Sequence, residues 1–226
     1  IKLFSEFSQL SGETINPYVE GTDDNNNFDN RLGFGYIPIG FIAEWDKVTL
    51  TLDYRQNSEN YLFNYWDQNY DHTRAMVVDD EGDNKVITKE DKLYLYGKSK
   101  GTSLNITSNF LKIFQLEMMY QYLNGDKWDD SINDYKSDQN STFYTKLDID
   151  TSIIQKVRIA EIFYQQSYSD KPFSFKPDEN TLFGYNIGVE MADNMVLILK
   201  GRKSYVFEDD GYRPVKTTQI ETQVIF

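Results

Sequence analysis

Charged side chains recur at every second position in several segments of this 226-residue chain: Asp53 and Arg55, Lys146 and Asp148, Lys200 and Arg202. Glu117, Glu190 and Glu221 stand in similar surroundings, each flanked by apolar or neutral residues. Successive side chains of a strand point to opposite faces, so a spacing of two gathers such charges on one face. The set carries both signs. In an open pore such a set would form a transverse field that selects solutes by charge and size. The same groups can instead pair and fill the space, because a closed sheet of roughly eight to ten strands has an interior little wider than its own side chains.

Other constellations are weaker. His72, the only histidine, follows Asp71. An acid can orient a histidine as general base, but neighbours on an extended chain point apart and no second acidic pair at matching spacing accompanies it. No Gly-x-Ser-x-Gly elbow, phosphate-cradling glycine loop or His-Glu-x-x-His helix occurs, so the sequence assigns no catalytic residue and the chain is not read as an enzyme. Asp23, Asn25, Asn27 and Asp29 place oxygens at every second residue, and Asp79, Asp80, Glu81 and Asp83 form a second acidic group. Calcium takes roughly six to eight oxygens, usually with a bidentate acid later in the loop. The glycine and the distal Glu are missing, so solvated acidic loops are the reading, with no metal and no cofactor. The absence of cysteine removes disulfides, thiolate nucleophiles and Cys-based zinc sites. A formal charge of -13 and pI near 4.5 argue against a nucleic-acid partner, which needs clustered Lys and Arg. Tyr61, Phe63, Tyr65, Trp66 and Tyr70 crowd one segment. Of these, Tyr65, Trp66 and Tyr70 are candidates for contact with a sugar or a partner protein, against the alternatives of an interfacial belt or a loop packed on itself.

The elements that must position these residues are strands. Val48, Leu50, Leu52 and Tyr54 alternate with Thr49, Thr51, Asp53 and Arg55. Phe114, Leu116, Met118, Tyr120 and Tyr122 alternate with Gln115, Glu117 and Gln121, while Ile113 and Met119 break the pattern. The same period marks 142–149, 183–191 and 197–205. About ten strands follow: 1–10, 31–44, 47–56, 92–109, 113–123, 141–150, 156–168, 181–191, 195–207 and 214–226. Pro38 predicts an edge or a bulge in the second. A further hairpin within 56–91, from 61–66 and 74–78, would raise the count to twelve. Connections alternate in length: 44–47, 108–112, 150–155 and 192–194 are short, whereas 11–30, 56–91, 124–140, 169–180 and 208–214 are long and polar. One end of the sheet is trimmed and the other elaborated. No apolar run reaches the ~18 residues of a transmembrane helix, which leaves a closed barrel as the only spanning option.

The final segment carries the most specific pattern. Thr218, Ile220, Thr222, Val224 and Phe226 fall on one side of a strand and Val215, Thr217, Gln219, Glu221 and Gln223 on the other. With the short-turn, long-loop alternation, this resembles the bacterial outer-membrane β-barrel proteins, a porin-like class with short periplasmic turns and longer external loops. The resemblance implies an all-β, antiparallel, up-and-down transmembrane β-barrel of about 10 to 12 strands, a single domain over 1–226, or the C-terminal part of a larger barrel. It implies that Ile220, Thr222, Val224 and Phe226 are read by the barrel-insertion machinery. It also implies contact with outer-membrane lipid and lipopolysaccharide and, through the loops, with an envelope protein complex. A signal peptide would then have preceded Ile1. The expected function is passive diffusion of small hydrophilic solutes along Asp53, Arg55, Glu117, Lys146, Asp148, Glu190, Lys200, Arg202 and Glu221, with opposite charges facing one another across the lumen. A plugged structural or docking barrel is the alternative, and a soluble β-sandwich binding module is the competitor for the fold.

Overall fold

Residues rich in Tyr, Phe, Ile and Val at period two favour extended backbone, because branched and aromatic side chains fit the pleated surface. The computed structural model describes residues 1–18, 28–29, 31–68, 70, 74–80, 83–169, 171–192, 194–208 and 211–224. Fourteen strands occur among them: β1 (Lys2–Gln9), β2 (Thr14–Ile15), β3 (Phe28–Asp29), β4 (Phe34–Trp45), β5 (Val48–Asn57), β6 (Ala75–Asp80), β7 (Asp83–Thr88), β8 (Tyr96–Phe110), β9 (Phe114–Asp129), β10 (Asp134–Ile149), β11 (Val157–Gln166), β12 (Thr181–Ala192), β13 (Met195–Glu208) and β14 (Gly211–Val224). Ten form one antiparallel sheet in the order β1-β4-β5-β8-β9-β10-β11-β12-β13-β14, so each pairs with the next large strand along the chain. This is the up-and-down topology of a barrel. The seam is open, however. Among the described residues β1 pairs only with β4 and β14 only with β13, so the closure expected of a barrel is not made by them.

The predicted strands all appear, with differences that have physical causes. β4 shifts register between Tyr36 and Ile39, where Pro38 has no N–H to give to the ladder. The expected long loop 124–140 is mostly strand. β9 and β10 stay in register from Phe114 and Ile149 out to Asp129 and Asp134, and Trp128 meets Tyr135 edge to face at 5.2 Å. Apart from Trp128, which Tyr18 and Tyr135 cover, the ribbon is mostly open to water, so it need not alternate apolar and polar and its sequence reads as a loop. The expected loop 208–214 is likewise tighter, with β13 running to Glu208 and β14 starting at Gly211. The extra hairpin expected from 61–66 and 74–78 does not form: 61–66 is not a strand, and Ala75–Asp80 pairs instead with Asp83–Thr88 as a separate two-stranded sheet.

The two faces of the main sheet differ sharply. One carries Leu50, Leu52, Leu104, Ile106, Leu116, Met118, Leu147, Ile162, Ile187, Leu197, Leu199 and Ile220, in cross-strand pairs such as Leu52 with Leu104 and Leu199 with Ile220. A β-sandwich would bury this face. Here Leu52 is 43%, Ile162 46% and Ile220 66% exposed, and no second sheet large enough to cover them exists among the described residues. Trp45, Phe110 and Phe114 mark the short-turn end of this outer face, and Tyr122, Tyr164, Phe183 and Tyr205 the long-loop end. The opposite, inner face holds the buried residues Asp53, Asn57, Ser103, Gln121, Leu123, Gln165 and Asn186.

Candidate functional site: the inner face and its inward segment

The connection after β5 does not extend away from the sheet. Residues 58–68 turn back over the inner face, and Tyr61, Leu62, Phe63 and Tyr65 are buried. Backbone bonds fix the entry: Ser58 N–H donates to Phe34 O at 2.9 Å, and Asn60 N–H to Tyr96 O at 3.0 Å. Asn57 donates from its amide to Gly97 O at 3.2 Å. The Tyr61 ring lies where a side chain at residue 35 would be. A Cβ on Gly35 would come within 2.4 Å of it, so glycine there makes the seat. The Tyr61 hydroxyl bonds Ser8 Oγ on β1 at 2.6 Å. Six residues later Asp67 accepts from Gln165 Nε2 on β11 at 2.8 Å. Strands first and seventh in the sheet order thus meet one short segment, as a sheet curled around it requires.

The sequence-predicted charges share this inner face, and they pair with neighbours rather than across a lumen. Arg55 Nε donates to Asp53 Oδ1 at 2.6 Å and Arg55 Nη1 to Gln121 Oε1 at 2.6 Å, while its guanidinium lies 5.2 Å from the Phe63 ring. Lys146 Nζ is 3.1 Å from Asp148 and 3.8 Å from Glu117. Lys200 Nζ bonds Glu221 Oε1 at 2.8 Å. Glu190 pairs with Arg158. Arg202 donates to Tyr185 O at 3.0 Å and lies 4.6 Å from the Phe163 ring. The reason is pleat geometry: residues two apart on a strand, or opposite one another on adjacent strands, are closer than any facing wall.

Glu161 escaped the sequence reading. It lies opposite Asp148 on β10 and Asn186 on β12, and it accepts from the Asn186 amide. β11 hides its pattern because the register shifts between Val157 and Ile159 and because the inward parity includes Phe163, which is buried beneath Arg202. Glu117, Asp148 and Glu161 therefore surround one ammonium, that of Lys146. No group of described residues is arranged to hold a metal ion.

Two cavities flank the inward segment. One of 340 Å³ is bounded by Asn57, Tyr61, Phe63, Ser99, Leu123 and Asn140, and another of 270 Å³ by Phe63, Asn64, Asp67, Glu117, Tyr144 and Lys146. Phe63 and Tyr168 border both, so these two rings lie between the polar spaces.

The aromatic candidates are self-packed. Tyr65 meets Trp66 at 5.0 Å and Tyr70 at 5.5 Å, and Trp66 meets Tyr70 at 4.3 Å. Tyr65 is turned inward and buried; Trp66 is 69% exposed. Lys89 anchors the cluster. Its ammonium donates to Tyr65 O, lies 3.5 Å from Asp67 and sits 4.9 Å from the Tyr65 ring. Burial lowers the Lys89 pKa, against the pull of Asp67, and burial raises that of Tyr65. Ile220, Thr222 and Val224 share the outer face of β14 with Thr218. Phe226, the Asp71 and His72 pair, residues 23–27 and Glu81 lie outside the described residues.

No family model matches the chain, and no curated protein does. Among solved structures the chain is similar to the NanC porin, at 10% identity and a TM-score of 0.39, over 86% of this chain and 94% of that one.

Proposed function

We propose that the chain is an outer-membrane β-barrel through which small hydrophilic solutes diffuse along the inner face, past a constriction at Phe63. The observation that carries this reading is the partition of the sheet into an outer face with an exposed aliphatic belt, covered near its long-loop end where Phe173 and Phe175 pack on Phe143, and an inner face of paired charges and amides. Phe114 and Tyr122, on the outer side of β9, are eight residues apart. That is about 27 Å of strand, or about 20 Å of height at a tilt of ~40°, near the apolar band of membrane barrels. Aromatic side chains at both limits are what a membrane-water boundary favours. Closing the seam between β1 and β14 would satisfy the edge backbone groups, which hydrocarbon does not tolerate unpaired.

The test is single-channel conductance of the refolded protein in a planar bilayer under a salt gradient. Stable steps support the reading. The three carboxyl groups around Lys146 predict a preference for cations, reduced in Asp148→Asn with Glu161→Gln, while Lys200→Gln with Arg202→Gln increases it. Insertion without conductance would favour the second reading, an occluded docking barrel, whose own support is the burial of residues 61–65. Failure to insert would overturn both.

A further inference from the structure

Lys203 on β13 and Lys216 on β14 are direct cross-strand partners. Both belong to the outer parity, the one that carries Leu199 and Ile220. Directly opposed residues hold their Cβ atoms roughly 4.5–5.5 Å apart, and like charges there repel. Neither lysine forms an ion pair with a described residue; the Lys203 ammonium lies 5.1 Å from the Tyr205 ring. Two cations placed side by side on the outer face of a chain of net charge -13 are an anion-facing feature; the other directly opposed lysines among the described residues, Lys127 and Lys136, lie on the opposite parity, and Lys136 is 3.9 Å from Asp129.

Their depth is specific. Toward the long loops, the same two columns carry Tyr205 opposite Pro214 and then Phe207 opposite Tyr212, whose rings meet at 5.3 Å. Toward the short turns they carry Gly201 opposite Thr218 and then Leu199 opposite Ile220. The Tyr185 ring lies against Gly201, where a Cβ would come within 2.3 Å of it. The order along the wall is therefore aromatic rim, cation pair, one small rung, aliphatic belt. That order matches an amphiphile whose anionic head sits at the boundary and whose chains run down the belt.

We propose that Lys203 and Lys216 seat the phosphate of an anionic membrane lipid in the long-loop leaflet, with its acyl chains along Leu199 and Ile220. The proposal rests on the membrane-barrel reading above. Both ammonium groups donate to one phosphate, which removes the repulsion between them and gives two charge-assisted hydrogen bonds.

The experiment is native mass spectrometry of the full chain from mixed micelles containing either phosphatidic acid or phosphatidylcholine. The wild-type protein is expected to keep one phosphatidic acid under conditions that strip phosphatidylcholine. K203Q with K216Q should weaken retention about tenfold or more, K203R with K216R should restore it, and K112Q at the short-turn rim should leave it unchanged. Equal retention of both lipids, or a glutamine pair that retains phosphatidic acid as the wild type does, overturns the seat. Displacement of the lipid by millimolar inorganic phosphate overturns the lipid as occupant and leaves a bare anion site. Vesicle insertion, scored in parallel, separates the two readings: a protein that inserts but fails the lipid test loses only the seat, and one that never inserts loses the barrel as well.

Discussion

Asp67, at the far end of the inward segment, accepts a 2.8 Å hydrogen bond from Gln165 on β11, and Lys89 approaches the same carboxylate at 3.5 Å. One acid thus ties a connecting segment to the wall opposite its point of entry. Gln165 is buried and also donates to Ser167, so this end of the segment is held by groups largely removed from water. Charge-assisted hydrogen bonds of this kind contribute about 1.5–3 kcal/mol each, and an orphaned partner costs more than the bond itself. In Asp67→Ala the segment should detach at this end while Tyr61 stays anchored at Ser8. The expected outcome is larger, noisier conductance steps with unchanged heat-modifiability of the barrel. Asp67→Asn keeps an acceptor and should lie between. A variant that conducts like the wild type would show that the segment does not limit the pathway.

Asp53 is 5% exposed and Arg55 sits beside it on the same strand, with Gln121 and the Phe63 ring completing the guanidinium's surroundings. Removing one member of such a pair leaves a buried charge uncompensated, at a cost of about 3–5 kcal/mol. Arg55→Leu should lower the denaturant midpoint strongly, whereas Asp53→Asn with Arg55→Gln should recover most of the loss. Urea unfolding in detergent reads the difference. A double variant as unstable as Arg55→Leu would mean that the guanidinium acts mainly through Gln121 and Phe63 rather than through Asp53.

The alternation of β13 puts Leu199 outside and Lys200 inside, where it meets Glu221 at 2.8 Å. Single cysteines report this directly. Leu199→Cys is expected to react with a lipid-soluble thiol reagent and Lys200→Cys with a water-soluble one. Labelling of Leu199→Cys by the water-soluble reagent alone would reverse the faces throughout β12 to β14, because their register is continuous from Phe183 to Glu190 and from Met195 to Glu208.

Where alternation was clean, as in β5, β12 and β14, the strand and the parity of its faces were legible from the order of the residues alone. Three things were not. Pairing of charges with neighbours depends on which strands adjoin, and a single strand's sequence does not contain that. β11 hides Glu161 behind a register shift and an inward Phe163. The segment 58–68 reads as an aromatic loop because its burial is created by Ser8, Leu123 and Gln165, residues distant in sequence whose approach exists only once the sheet curls. Gly33 and Gly35, each with Tyr61 where a Cβ would stand, are local signs of the seat, and a glycine within or beside a strand admits several explanations.

Alkaline pH should release the inward segment. Burial raises the pKa of Tyr65 and that of Tyr168, both in connecting segments. Below pH 10 the phenols are protonated folded and unfolded, so they contribute no pH dependence. Above pH 10 the unfolded chain loses these protons first, the folded state then binds more protons, and stability falls by about 1.4 kcal/mol per pH unit for each phenol that remains protonated. Lys89 works in the opposite direction: its pKa is lowered by burial, so its contribution rises from that lowered value up to 10.5. Burial lowers the neighbouring Lys92 as well; neither ammonium adds any slope above 10.5, the pH at which the unfolded chain has lost those protons too, so the slope there is set by the phenols, Tyr94 among them, and is negative. Tyrosinate absorbance followed with tryptophan fluorescence should show exposed phenols titrating near pH 10, then a later, slower phase accompanied by a change at Trp66. Tyr65→Phe should shrink that phase. A single reversible titration of all 17 tyrosines with no fluorescence change would mean that Tyr65 and Tyr168 reach water without opening, and that the inward segment does not close them off.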